Sequence, residues 1–100
     1  MNTKMKMLMI LCSGSQLATV QELLDAHDLH GYSEIAEIRG AGRTGKHFGT
    51  RAWPGTSNLI FAAIEEPKVD EVVGAIGKVA ETCPEGEGIH LIVLPVDRMV

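Results

Sequence analysis

Between Arg39 and Arg51 the chain carries four cations, Arg39, Arg43, Lys46 and Arg51, and no acid. The flanking carboxylates are Glu37 and Glu65. The same stretch holds Gly40, Gly42, Gly45 and Gly49. Glycines let backbone N–H groups approach an anion closely and cations supply charge, so this is the composition of an anion-binding loop. A merely solvated loop would have the same composition. Gly40-Ala41-Gly42-Arg43-Thr44-Gly45-Lys46 also satisfies G-x-x-x-x-G-K, but His47 stands where a Walker site needs Ser or Thr. Gly49, Pro54 and Gly55 follow too soon for the helix that motif requires. The expectation is a loop that cradles a phosphate without hydrolysing it.

Other chemistry is sparse. Four histidines raise the question of a metal: His27 and His30 are three apart at a helix end, His47 sits in the glycine-rich loop and His90 in the last strand. Spacing of three places two side chains on one helical face, yet a histidine near a helix C-terminus is also favoured by the dipole alone. No accompanying thiolate or carboxylate pattern makes a ligand set, and no metal is assigned. Cys12 and Cys83 fall in apolar patterns without metal-type spacing, and no base lies near either. They read as buried free thiols of a reducing compartment, and a disulfide framework is excluded. Ser13 and Ser15 read as helix caps. No catalytic residue is assigned, and an enzyme is not expected.

The elements that must position the loop follow from periodicity. Met5 to Leu11 is a short apolar run suited to a buried strand, and Ser13-Gly14-Ser15 breaks it. Leu17, Val20, Leu23 and Leu24 recur at helical spacing up to Gly31. Tyr32 to Arg39 alternates, predicting a strand with Tyr32, Glu34, Ala36 and Ile38 on one side and Ser33, Ile35, Glu37 and Arg39 on the other. The glycine loop, about residues 40–56, closes on Trp53-Pro54-Gly55-Thr56. Asn58 to Ile64 is a second apolar strand, and Glu65-Glu66-Pro67 opens a helix with acids and proline at its amino end. Val69, Val72, Val73, Ile76, Val79 and Ala80 form its stripe, Thr82-Cys83-Pro84 stops it, and Ile89 to Val96 is the last strand.

The order is βαβ–βαβ. It predicts a single α+β domain over residues 1–100, ferredoxin-like, with a four-stranded antiparallel sheet and two helices on one face. Such a sheet leaves its other face open. Met7, Met9, Leu59, Phe61, Leu91 and Val93 cannot all point at the helices, so another copy of the chain is the economical cover.

The element order and three segments resemble the P-II signalling proteins and their shorter P-II-like relatives over nearly the whole chain. Glu37-Ile38-Arg39-Gly40-Ala41-Gly42-Arg43 is similar to the family's V-x-G-x-G-R strand exit. Pro67-Lys68-Val69-Asp70-Glu71-Val72-Val73-Gly74-Ala75-Ile76 is similar to its second helix. Gly86-Glu87-Gly88, before a strand ending Pro95-Val96-Asp97-Arg98, is similar to its G-D-G-K-I-F-V-x-P-V-E-R. The resemblance implies a cytoplasmic homotrimer that holds an adenine nucleotide (ADP, AMP or ATP) as a small anionic effector in clefts between subunits. The loop then modulates a membrane transporter or an enzyme. Carried over by position, the effector contacts are Gly40, Gly42, Arg43 and Thr44, then Gly86, Glu87 and Gly88; Lys46 in the loop and His90 after the turn join them as candidates.

Departures from the pattern shape that expectation. The loop is shorter than in nitrogen-sensing members, and Trp53 occupies the stretch of their modifiable tyrosine. Ile89 and His90 replace the lysine after Gly-Asp-Gly, and the chain ends at Val100, before the arginines that complete a triphosphate site. Each phosphate contact is charge-assisted, so a less charged nucleotide or another small anion is expected over tight ATP binding. The alternative is a metal-responsive trimer of the CutA-type or efflux-associated kind, using His47 or His90 with Glu87.

Composition excludes further classes. Nine Lys+Arg against thirteen Asp+Glu, a formal net charge of -4, argues against a nucleic-acid partner. No apolar run approaches the roughly 18–20 residues of a membrane span, and the start reads as a strand, without the cleavage site of a signal peptide. One hundred residues form a small core, which again favours association.

Overall fold

A computed structural model describes residues 4–39, 57–84 and 87–100. The chain runs β1 (Met5–Ser13), α1 (Leu17–Ala26), β2 (Ser33–Ile38), β3 (Ser57–Glu65), α2 (Val69–Glu81) and β4 (Ile89–Pro95). The strands make one antiparallel sheet in the order β2-β3-β1-β4, as the βαββαβ reading requires. The central strands β1 and β3 and the edge strand β4 carry apolar residues on both faces, while the other edge strand, β2, is the most polar.

Alternation sorts the side chains. Leu8, Ile10 and Cys12 of β1 pair with Val93, Leu91 and Ile89 of β4 and with Ala62, Ile60 and Asn58 of β3. Apart from Asn58, this row packs under Val20 and Leu24 of α1 and Val72 and Ile76 of α2. Leu8, Cys12, Val20, Leu24, Ile60 and Val72 are wholly buried. Burying each large aliphatic side chain contributes about 1.5–3 kcal/mol. The intervening residues, Met7, Met9 and Leu11 with Leu59, Phe61 and Ala63 and with His90, Ile92 and Leu94, form the opposite face. Of the six residues expected to divide between faces, Leu91 and Val93 lie under the helices and the other four do not.

Three details depart from the sequence reading. The alternation predicted for β2 is broken between Ile35 and Ile38. Ile35 pairs with Leu59 and Ile38 with Ser57, so β2 spends three residues where β3 spends two. That is a β-bulge, and Glu37 within it adopts φ 58°. The extra residue puts Ile38 on the same face as Ile35, where strict alternation would separate them. Secondly, neither Ser13 nor Ser15 caps α1. No side-chain cap bond is made at its start, and a 3-10 turn over Gly14–Gln16 leads into the helix. A matching turn over Glu66–Lys68, carrying Pro67, leads into α2.

The C-terminus of α1 lies earlier than Gly31. Asp28, at φ 59°, takes the left-handed position after the C-cap His27. Its N–H donates to the Asp25 carbonyl at 3.0 Å, and the Leu29 N–H donates to Leu24 at 2.8 Å. This is a Schellman closure, completed by apolar contact between positions such as Leu29 and Leu24. Both are buried in the core cluster.

Candidate functional site

The described residues that flank 40–56 lie at one end of the sheet. Ile38, just ahead of Arg39, pairs with Ser57; Ser57 pairs with Ser13; and Ser13 meets Gly88 in the turn before β4. Ile38, Ser57, Ser13 and Gly88 therefore form one row across the sheet. β-Pairing dictates this row, because β1 and β3 are in register along their full lengths.

Ser13 fixes the turn. Its N–H donates to the Gly88 carbonyl at 3.0 Å, and its Oγ accepts from the Gly88 N–H at 3.2 Å. The Ser13 Oγ also lies 3.5 Å from the Ser15 Oγ. Beside this clasp the Gln16 Nε2 donates to the Glu87 carboxylate. The serine expected to cap a helix thus holds the residue expected to contact an effector. Spacing could not show this, since Ser13 and Gly88 are 75 residues apart.

Of the sequence-derived contacts, Glu87 and Gly88 lie at this edge. Gly40, Gly42, Arg43, Thr44, Lys46 and Gly86 lie outside the described residues, as do His47 and Trp53. His90 is separated from the clasp by two positions. It pairs with Leu11 and occupies the face of the sheet opposite the helices. There it is half-buried, and loss of water pushes its imidazole below the usual histidine range.

The remaining candidates disperse. The two histidines expected to share a helical face serve separate carboxylates: His27 Nδ1 meets Glu71 at 2.5 Å, and His30 Nδ1 meets Asp25 at 3.1 Å. Helical spacing fails because α1 ends at Ala26, before either histidine. Among the described residues no three His, Cys, Asp or Glu side chains gather into a metal-holding group. Cys12 is fully buried and Cys83 half-buried, both reduced. Burial pushes the Cys12 thiol up to about 11, with Glu34 and Cys83 adding to the shift. Burial and then Glu87 push Cys83 up as well. Both effects suppress the thiolate, the reactive form. Among the described residues no helix is long and apolar enough to cross a membrane.

Solved structures share this architecture. A structure of CPII from Thiomonas intermedia K12, described as a nitrogen regulatory PII-like protein bound to ADP, AMP and bicarbonate, matches at 21% identity and TM-score 0.67, covering 97% of each chain. CPII bound to ADP, AMP and acetate matches at 20% identity and TM-score 0.67, over 96% of this chain and 91% of that one. A functionally unknown protein from Pediococcus pentosaceus ATCC 25745 matches at 17% identity and TM-score 0.70, over 99% and 98%. At these identities the likeness establishes the fold. No curated protein matches the chain. The family model for nitrogen regulatory protein P-II matches residues 5–100. With the βαββαβ sheet and the three matching segments, this places the chain in the nitrogen regulatory protein P-II family.

Proposed function

We propose that this protein is a cytoplasmic regulator that binds an adenine nucleotide in clefts between the subunits of a homotrimer. It reports nucleotide state to a transporter or an enzyme through the 40–56 loop and catalyses no reaction itself. The observation that carries this reading is the Ile38–Ser57–Ser13–Gly88 row, which sets the residues flanking the glycine-cation segment in line with the Glu87–Gly88 turn at one end of the sheet. Arg43 and Lys46 supply charge for phosphate, while Gly40, Gly42, Thr44 and Gly86 supply close backbone approach and a hydroxyl. Nucleotide binding by the structurally similar CPII supports the same reading.

The open sheet face supports the trimer. Ile35, Ile92 and Leu94 are 48%, 53% and 40% exposed, contiguous with half-buried methionines, Leu59 and Phe61. A face this apolar calls for a cover, and three copies packed around an axis supply one while creating clefts between neighbours.

Calorimetric titration with ADP, AMP, ATP and bicarbonate, on the wild type and on Arg43→Ala, tests the proposal. The expected result is saturable heat from at least one nucleotide, weakened about tenfold or more in Arg43→Ala by loss of a charge-assisted contact. No heat from any ligand, or an unaffected Arg43→Ala protein, overturns it.

A further inference from the structure

The P-II reading gives Glu87 and Gly88 to the effector and leaves the turn between β1 and α1 without a role. Ser13, Ser15 and Gln16 stand at or just after the end of β1. No side-chain cap bond is made at the start of the 3-10 turn or of the helix, so their polar groups are not spent on α1. Glutamine is not among the short side chains that cap a helix. At Gln16, where the 3-10 turn becomes α1, the amide instead reaches across 71 residues of sequence, and its Nε2 donates to the Glu87 carboxylate.

The turn ahead of β4 is held from three directions. The Glu87 N–H donates to the Pro84 carbonyl at 3.1 Å, closing the turn on itself. The Gly88 N–H and carbonyl are both bonded to Ser13. The Glu87 side chain is bonded to Gln16. After burial, the Glu87 charge is also what pushes the Cys83 thiol up, so the carboxylate lies between Gln16 and the residues that follow α2. Gln16 and Glu87 are both half-buried, where a hydrogen bond meets less competition from water than on an open surface.

We propose that Gln16 is a positioning residue for the effector turn: by holding the Glu87 carboxylate it fixes the Glu87–Gly88 backbone against the end of β1, and Glu87 acts on the effector only through that backbone. Ser13 and Gln16 divide the work, one bonding the main chain of the turn and the other its side chain. A ligand that meets a turn already held in place is spared the cost of ordering it. The consequence for a nucleotide rests on the reading above; the tether itself does not.

Amide hydrogen exchange at Gly88 in the ligand-free protein and calorimetric titration with ADP, AMP and ATP, both on the full chain, test the two parts. Gln16→Ala removes the donor, and Gln16→Glu sets two carboxylates against each other. Each should lower Gly88 N–H protection by roughly two- to tenfold, the worth of one such bond, and weaken nucleotide binding by a similar factor with circular dichroism unchanged. Gln16→Glu combined with Glu87→Gln rebuilds the bond with its donor on the other side and should recover most of both losses. A charge that touched the effector directly would not be replaced by moving it. Unchanged Gly88 protection or unchanged nucleotide affinity in Gln16→Ala, or an exchanged pair as impaired as Gln16→Glu alone, overturns the proposal. A wild type that takes no nucleotide while Gly88 protection still depends on Gln16 supports the tether and overturns the nucleotide reading.

Discussion

Ser13 holds Gly88 through both backbone and side chain: its N–H donates to the glycine carbonyl at 3.0 Å, and its Oγ accepts the glycine N–H at 3.2 Å and donates to the same carbonyl at 3.5 Å. The side-chain bonds can be removed alone. Ser13→Ala leaves the Gly88 N–H without that acceptor at a part-buried site, which costs about 1 kcal/mol. Urea denaturation should show that loss. If the Gly88 turn contacts an effector, nucleotide affinity should fall in the same variant while the sheet is retained.

Asp28 adopts φ 59°, a conformation glycine reaches without the steric cost borne by other residues. Its backbone closes α1, and its side chain, 3.6 Å from His30, is exposed. Asp28→Gly should therefore stabilise the protein by roughly 0.5–1 kcal/mol. Asp28→Val, β-branched, should destabilise it by more than that gain. Denaturation midpoints of the pair provide the check.

His90 is half-buried on the face opposite the helices, and desolvation lowers its pKa from the ordinary 6.5. A depressed histidine contributes stability above the unfolded-state value and loses it as pH falls. Stability should decline below about pH 6.5 as the unfolded chain takes up the proton more readily. His90→Asn should show a smaller decline between about pH 7.5 and about pH 5.5 in chemical denaturation, since the other titrating groups remain in both proteins.

The two thiols should differ in accessibility. Cys12 is fully buried with its thiol pushed up to about 11, whereas Cys83 lies half-buried at the end of α2. Iodoacetamide labelling followed by mass spectrometry should modify Cys83 first. Cys12 should follow only as the core opens, at a rate that tracks global unfolding.

Ile92 is 53% exposed on the open face beside Leu94. Ile92→Glu adds a charge there without touching the core under the helices. If three copies meet on this face, sedimentation should show the variant dissociating to monomers with its circular dichroism unchanged. An assembly indifferent to Ile92→Glu would place the subunit contacts elsewhere.

Local pattern alone determines much of this protein. Alternating or continuous apolar runs and a 3.6-residue stripe depend only on neighbours in the chain. All four strands and both helices were therefore legible, with ends shifted by a residue or a few. So were the segments from Glu37 to Arg43, Pro67 to Ile76 and Gly86 to Arg98 that mark the P-II family. The excess of apolar sheet residues was legible too, because two helices cover only one face.

Tertiary structure decided what depends on partners far away in sequence. The bulge at Glu37 reset the facing of Ile38, since register is a property of β2 and β3 together. Ser13 became the clasp of Gly88, because a hydroxyl at a strand end takes whichever backbone group the next strand presents. His27 turned from His30 to Glu71 once antiparallel strands set the two helices side by side. The four cations between Arg39 and Arg51 could be read as anion-seeking from composition, but only β-pairing set Ile38 and Ser57, which flank that segment, in one row with Ser13 and Gly88.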